Sequence, residues 1–367
     1  MYRKILAVMC AIYFFATSLT AYASMPERKI GILKGVSQVN LQVSEPCIMI
    51  NPETKEKIDN IEPNKPFTID FSSMKFNVME IRGTINLRST INGKKYFGGV
   101  RINKNSNSLT VINLAPVEEY LRGVLPEEMP PYFSLEALKA QAVAARSFTL
   151  KNKNLHQSEG FDLCATTHCQ VYEGVSSISG ITDKAVAETS GMTLCFNGSV
   201  ILATFHTDSG GMTESNANVW GTEVPYLQPA EELAKKTQVW NVKVDKEVFA
   251  KKMGADFGEL RSITLSNLVI GQAANDRTTS GRVKTALIVG SKKSVQLSGI
   301  DLRSKFSLPS TLLNIKFQGG EVIFEGYGRG HGVGMSQCGA EAYSKSGWTY
   351  DRILNHYYKG TELKKLY

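Results

Sequence analysis

The chain has 367 residues, 42% of them hydrophobic and 21% charged, with a formal net charge of +8. This is ordinary globular composition, too apolar for disorder and without the glycine period of a collagen. It also excludes a multi-pass membrane protein, because the one apolar run that could interact with a bilayer lies at the extreme N-terminus.

In that terminal segment Arg3 and Lys4 lead into an apolar stretch from Ile5 to Leu19, and Ala21-Tyr22-Ala23 precedes Ser24. A basic start, a short apolar run and a small-x-small site describe a secretory signal peptide over residues 1–23. The run is short for a bilayer span, so an uncleaved anchor is the second reading. Either way the expected location is outside the cytoplasm, in the periplasm or on the extracellular face of the cytoplasmic membrane. The positive charge suits an acidic polymer such as cell wall. There is no basic helix interleaved with aromatics, and no zinc-finger or RNA-binding signature, so nucleic acid is not an expected partner.

From Lys29 to about Ile112 the chain reads as β-structure. Ile48–Ile50, Phe67–Phe71, Phe76–Ile81 and Ser108–Asn113 are short apolar or alternating runs separated by turn formers. Asn92-Gly93 predicts a tight hairpin, since both residues tolerate positive φ. At Pro116 the character changes. Pro116 suits a first helical turn, Glu118 and Glu119 complement its positive end, and Leu121, Val124 and Leu125 form an apolar stripe. Pro126, Pro130 and Pro131 then interrupt, leaving Glu127-Glu128-Met129 on a constrained corner. Ser134 predicts the N-cap of a second, alanine-rich helix running to about Lys151.

Strands dominate again from Gly191 to about Phe324, with runs at Val200–Phe205, Arg261–Leu265, Val283–Val289 and Leu313–Phe317. A glycine-rich loop, Gly326 to Gly334, precedes helices from Ser336 to Ser346 and from Tyr350 to Tyr358. The expected fold class is α+β, mostly β, with a central helical segment and a helical C-terminal end.

Three strings carry chemistry. Thr167-His168-Cys169 and Asp208-Ser209-Gly210-Gly211 look like serine-protease motifs, but they lie far closer than the roughly 140 residues that separate such motifs in the trypsin-like fold. Cys164, His168 and Cys169 share one short segment with His156 upstream, a donor set that zinc accepts tetrahedrally; a Cys164–Cys169 disulfide beside an unpaired surface histidine is the alternative. Cys47, Cys195 and Cys338 read as small buried hydrophobes. In the third string His331 stands between Gly330 and Gly332, where backbone can approach a ligand closely. Its glycines do not fit dinucleotide spacing. Glu128 is unremarkable as a residue type, but a corner between apolar helices can partly desolvate a carboxyl group and raise its pKa for general-acid work.

Taken together, the runs Val111 to Pro130, Glu136 to Ser147, Cys169 to Gly174, Phe205 to Gly211, Gly328 to Gln337 and Ile353 to Tyr358 resemble the stage II sporulation protein D and LytB family. The resemblance begins near Tyr96 and reaches the C-terminus. It implies a β-rich region over 24–105 continuous with a catalytic region over 106–367, and a lytic transglycosylase that cleaves glycan strands of peptidoglycan already stripped of stem peptides. Glu128 matches the family's catalytic glutamate. Cys164, His168 and Cys169 match its zinc-binding segment, with His156 as fourth ligand and the zinc structural. Lys139, Gln141, Arg146, Tyr172, His206, Ser209, His331, Ser336 and Gln337 are the residues it offers for glycan binding, each weighed against a purely structural hydrogen bond. Lys139 and Arg146 are two helical turns apart and share a face. Two other functions stay open: a LytB-like wall-binding enhancer of a partner amidase, and a secreted zinc hydrolase.

Overall fold

The computed structural model describes residues 25–176 and 178–367, so the expected signal peptide over 1–23 lies outside the described residues. None of the described helices is long and apolar enough to cross a membrane. Strand takes 35% and helix 23% of the described residues, which makes the α+β fold mostly β. The chain divides into two compact units. The first holds residues up to Thr193 with 200–202 and 363–367, and the second holds 194–199 and 203–362.

The first unit is built on two sheets. Leu163–Cys164, Glu27–Val36, Leu109–Pro116, Gly99–Lys104, Val78–Arg82, Cys47–Ile50 and Lys57–Ile61 lie in that order in a seven-stranded sheet. Phe67–Asp70, Gln38–Val43, Arg88–Ile91 and Lys94–Phe97 make a four-stranded one. Alternating apolar residues from both, including Val39, Leu41, Ile81, Ile102 and Val111, share one core with Tyr120, Val124 and Tyr172. The Asn92-Gly93 hairpin closes as expected, with φ of 46° and 85°.

Leu109–Pro116, buried along its whole length, feeds directly into helix α1, Val117–Glu128. Here the corner expected at Pro126 is displaced: Pro126 lies inside α1, and Glu128 is its last helical residue. A proline in the last turn sacrifices one helical hydrogen bond without stopping the chain, and the Met129 N–H still closes on the Leu125 carbonyl. Helix α2, Leu135–Lys151, begins after Ser134 as its sequence predicts. Helix α3, Gly180–Glu188, capped by Ser179, has no counterpart in the sequence reading. Arg122 of α1 reaches Asp183 of α3 through Nε at 3.1 Å and Nη2 at 2.8 Å.

The second unit has two three-stranded antiparallel sheets, Trp240–Asp245 with Glu321–Gly326 and Leu313–Gln318, and Leu260–Thr264 with Thr285–Gly290 and Ser294–Ser298. After the short helix α4, Asn216–Trp220, helices α5, Lys246–Met253, and α6, Gly299–Phe306, contribute Phe249, Leu302 and Phe306 to a core shared with Phe257, Ile288 and Phe324. Helices α7, Gln337–Lys345, and α8, Tyr350–Tyr357, complete the unit. The expected strand Val200–Phe205 is not one ladder: only Ser199–Val200 and Phe205–His206 are paired. The chain passes from one unit to the other within that run.

Candidate active site and metal cluster

In the first unit, one ligand atom each from His156, Cys164, His168 and Cys169 lies within 4.8 Å of the others. His156 Nε2 is 3.3 Å from Cys169 Sγ, and His168 Nδ1 is 3.4 Å from Cys169 Sγ and 3.7 Å from Cys164 Sγ. Ligands about 2.0–2.3 Å from one tetrahedral ion lie roughly 3.3–3.8 Å apart, so the set has the spacing zinc requires. Burial pushes both thiols upward, but hydrogen bonds from Thr166 bring Cys164 below the usual thiol range while Cys169 stays above it. The other nitrogen of His156, Nδ1, faces Glu159 at 2.6 Å, and Glu159 in turn meets Lys34 at 2.5 Å. A carboxylate on the outer nitrogen of a ligating histidine fixes its tautomer and ring direction.

Local backbone order makes this convergence possible. Leu163–Cys164 pairs in parallel with Ile30 and Gly31, and a Cβ on Gly31 would stand 2.7 Å from the Phe161 ring. Phe161 stacks under His156 at 4.9 Å. Buried Asp162 accepts from the backbone of Lys29 and Asn154, tying the turn to the first strand.

Immediately after Cys169 the chain crosses α1. Gly123 is the point of crossing, because a Cβ there would collide with the Gly174 carbonyl and the Tyr172 ring. The crossing segment delivers the Val171 N–H to Glu128 Oε1 at 2.6 Å. Glu128 is half-buried, and its carboxyl is raised above the ordinary glutamate range, chiefly by desolvation. The Val171 N–H opposes that shift and the neighbouring Glu127 adds to it. Cys169 and Val171 are two residues apart, so the cluster and the acid are held by one stretch of backbone.

The polar groups of α2 face inward. Lys139 pairs with Glu136 at 2.8 Å and Glu188 at 2.6 Å. Arg146, 0% exposed, forks both Glu118 oxygens at 2.7 Å and donates to the Met192 carbonyl. The shared face of Lys139 and Arg146 is therefore turned toward α3 and the chain that follows it. Gln141 is fully buried, and neither atom of its amide has a hydrogen-bond partner among the described residues. Tyr172 is buried and donates to Asn113 at 3.1 Å. Arg146 thus ties α2 to α1, which carries Glu128, and Lys139 ties α2 to α3.

His206, Ser209, His331, Ser336 and Gln337 belong to the second unit. Arg329 and Asp208 exchange backbone hydrogen bonds, and buried Arg282 donates to the Ser209 and Met212 carbonyls at 2.7 and 2.8 Å. Gly332 lies flat on that guanidinium, where a Cβ would be 2.6 Å away. His206 donates from Nδ1 to the Val333 carbonyl, whereas Val333 N–H donates to His331 Nδ1. Desolvation lowers both imidazoles, His331 to about 4, so both are neutral near pH 7. Ser209 and Ser336 bond Glu232, whose carboxyl burial raises to about 7. Gln337 is buried at the start of α7.

Sequence reasoning passed over several contributors. Val171 acts through its backbone, which leaves no side-chain signal. Glu159 lies three residues after His156, a spacing that could have marked it as the imidazole's partner. Exposed Tyr132, four residues past Glu128 and 84% exposed, and Trp220, 48% exposed, carry no signal in composition or period.

A family model described as Stage II sporulation protein matches residues 105–196, the stretch that holds α1, α2, α3 and the His/Cys cluster. Another, described as a domain of unknown function, matches residues 228–334 in the second unit. Stage II sporulation protein D of Bacillus subtilis is 34% identical over 267 residues, covering 68% of this chain and 75% of the relative. An uncharacterized protein of Brachyspira hyodysenteriae is 32% identical over 283 residues, 75% of this chain and 73% of its own. An amidase enhancer of Bacillus subtilis is 33% identical over 326 residues, and the match spans only 45% of that longer protein.

Proposed function

The chain belongs to the stage II sporulation protein D family, and from that membership we propose that it is a lytic transglycosylase of peptidoglycan, with Glu128 as its acid and base. The observation that carries this reading is the Val171 N–H on Glu128 Oε1, at a half-buried carboxyl of raised pKa. A partly desolvated carboxyl of raised pKa keeps a proton to give.

The chemistry then needs one carboxyl group where ordinary glycosidases need two. Glu128 gives its proton to the glycosidic oxygen as the C1–O bond breaks, and the next sugar leaves with a free hydroxyl. The oxygen of the C6 hydroxyl on the same muramyl ring attacks C1. Its proton passes to the Glu128 carboxylate, which restores the acid and closes a 1,6-anhydro ring. No water is consumed. Tyr132, on the proline-stiffened turn after Glu128, offers an exposed aromatic face for a neighbouring sugar.

His156, Cys164, His168 and Cys169 fit zinc by donor type and spacing. Four protein ligands fill a tetrahedron, so the ion would be structural, cross-linking the loop that presents Val171. That closure weighs against the zinc-hydrolase reading, which needs an open position.

The amidase-enhancer relative supports a second reading, a wall-binding partner of an amidase without activity of its own. Peptide-free glycan strands incubated with wild type and Glu128→Gln separate the two by mass spectrometry. Anhydro-ended fragments from wild type alone support the lyase. None from either, together with stimulation of an added amidase, supports the enhancer. Export follows the same proposal, since the substrate lies outside the cytoplasm.

A further inference from the structure

The chain has three tryptophans, and in two of them the surroundings use up the indole. Trp240 is half-buried and donates its N–H to the Gly328 carbonyl at 3.1 Å. Trp348 carries the Arg352 guanidinium on its face at 3.9 Å. Trp220 differs on both counts. It is 48% exposed, and its N–H has no acceptor among the described residues. An exposed indole offers a ligand both an apolar face and a hydrogen-bond donor.

Its setting is rigid. Trp220 ends α4, which is capped by Ser215 at one end and by left-handed Gly221 at the other. Glu214 accepts from Asn218 at 2.8 Å and from Ser280 at 2.6 Å, and Asn216 donates to Thr222. Against the indole, at 5.0 Å between ring centres, stands His331, with His206 a further 5.4 Å behind. His331 Nδ1 accepts from Val333, and a second hydrogen bond links the ring to the Phe205 backbone. Its polar edges are thus spent inside the loop, and it acts as a neutral wall that sets the indole.

Two residues before His331 lies Arg329. Its backbone is fixed by the paired bonds to Asp208, at 3.0 and 2.8 Å, but its side chain is exposed and makes no ion pair or hydrogen bond among the described residues. An unpaired guanidinium carried two residues before the histidine that backs an exposed indole suits a ligand with an apolar ring face and one anionic group. A muramyl residue stripped of its stem peptide is such a ligand. Its pyranose presents a face of C–H bonds, and removal of the peptide leaves the lactyl group as a free carboxylate.

We propose that Trp220 and Arg329 form a glycan subsite in the second unit, the indole taking a pyranose face and the guanidinium the lactyl carboxylate of a peptide-free muramyl residue. The choice of ligand rests on the lytic-transglycosylase reading; the site itself rests on the geometry above. It supplies a physical reason for preferring stripped strands: a stem peptide would consume the anion that Arg329 binds.

The test is titration calorimetry of peptide-free glycan strands on Glu128→Gln protein, in which binding is measured without turnover. Trp220→Ala should weaken binding by about tenfold or more, and Trp220→Phe, which keeps an aromatic face, by only about two- to threefold. Arg329→Ala should cost roughly tenfold on native strands and nothing on strands whose lactyl carboxylates have been converted to methylamides. Melting temperatures within about 2 °C of the parent establish that both variants fold. Unchanged affinity in Trp220→Ala, or an Arg329→Ala loss that survives amidation, overturns the subsite. If wild type instead yields no anhydro ends while these losses hold, the lyase reading fails and the subsite stands.

Discussion

Arg146 in the first unit and Arg282 in the second are both buried within polar networks, and the two are neutralised differently. Arg146 forks both oxygens of Glu118, which also accepts from Gly191 and Tyr367. Its charge is cancelled at contact, between helices. Arg282 is just as deeply buried, yet its hydrogen bonds go to the Ser209 and Met212 carbonyls and to Ser280, and its Nε has no partner among the described residues. The carboxylates that favour its charge, Glu214, Glu232 and Asp208, act without a direct hydrogen bond, and desolvation lowers its pKa. The first arrangement makes a stiff frame for an acid at a helix end. The second gathers loops, which is what a binding surface built on glycines requires.

On the proposed reading the first unit carries the chemistry and the second holds the strand, and Glu128→Gln is the strongest way to break that division. Loss of the acid should reduce release of anhydro fragments by about a hundred- to ten-thousandfold while leaving strand binding within about twofold. Because burial raises the Glu128 pKa, its carboxylate is a cost to folding that appears as pH rises above the ordinary glutamate range. The Gln variant is therefore expected to melt higher than wild type at pH 7 and to lose that advantage at pH 3. A variant that cleaves normally would remove the chemistry from this helix end.

Next in size is the pair of arginines themselves. Arg146→Met strands a buried carboxylate and should cost about 3–5 kcal/mol in denaturant unfolding, with most of it recovered in Arg146→Met/Glu118→Leu. Arg282→Met unpairs the Ser209 and Met212 carbonyls but takes no direct hydrogen bond from a carboxylate, and should cost about 1–3 kcal/mol, with weakened glycan binding as its more visible effect. Equal costs with no recovery in the double variant would erase the distinction between the two networks.

The sequence made the frame legible and left the contacts hidden. Pro116 and Ser134 marked the starts of α1 and α2, because cap and first-turn chemistry is local. Asn92-Gly93 marked its hairpin for the same reason. The His/Cys segment was half legible: its spacing allowed a metal or a disulfide, and only folding brings His156 onto Cys169. Glu128 was legible through family resemblance alone, since its partner is a backbone N–H from a segment far along the chain. Helix α6 was missed although Ser298 and Asp301 form a capping box that the pattern could have disclosed. Trp220 and Arg329 could not be found this way, because exposure and a missing partner are properties of the fold.

A smaller effect, and one peculiar to the second unit, follows from Glu232. The folded carboxyl keeps its proton to about pH 7, whereas the unfolded one releases it near its ordinary value of 4.5. Between those limits the folded state binds more protons, so stability should fall as pH rises from about 4.5 to about 7, by about 3 kcal/mol in all. Glu232→Gln should flatten that part of the profile while the first unit's stability is untouched. Parallel melting curves for the two proteins across pH 4–8 would show that Ser209, Ser336 and Tyr357 already hold Glu232 ionised.

The smallest expected effect separates framework from substrate contact within the first unit. Lys139 is fastened to Glu136 and Glu188, but Glu188 is 40% exposed, and such pairs contribute at most about 1 kcal/mol. As a tie between α2 and α3, Lys139→Ala should lower the melting temperature by no more than about 4 °C and leave KM for peptide-free strands unchanged. As a glycan ligand it would do the reverse, raising KM with little change in melting. The two outcomes are exclusive in sign and measurable on one preparation. A raised KM would also mean that Lys139 exchanges Glu136 and Glu188 for the strand, since both ion pairs occupy its ammonium group here. Salt offers an independent check, because the interhelical tie is screened in the free protein whether or not glycan is present.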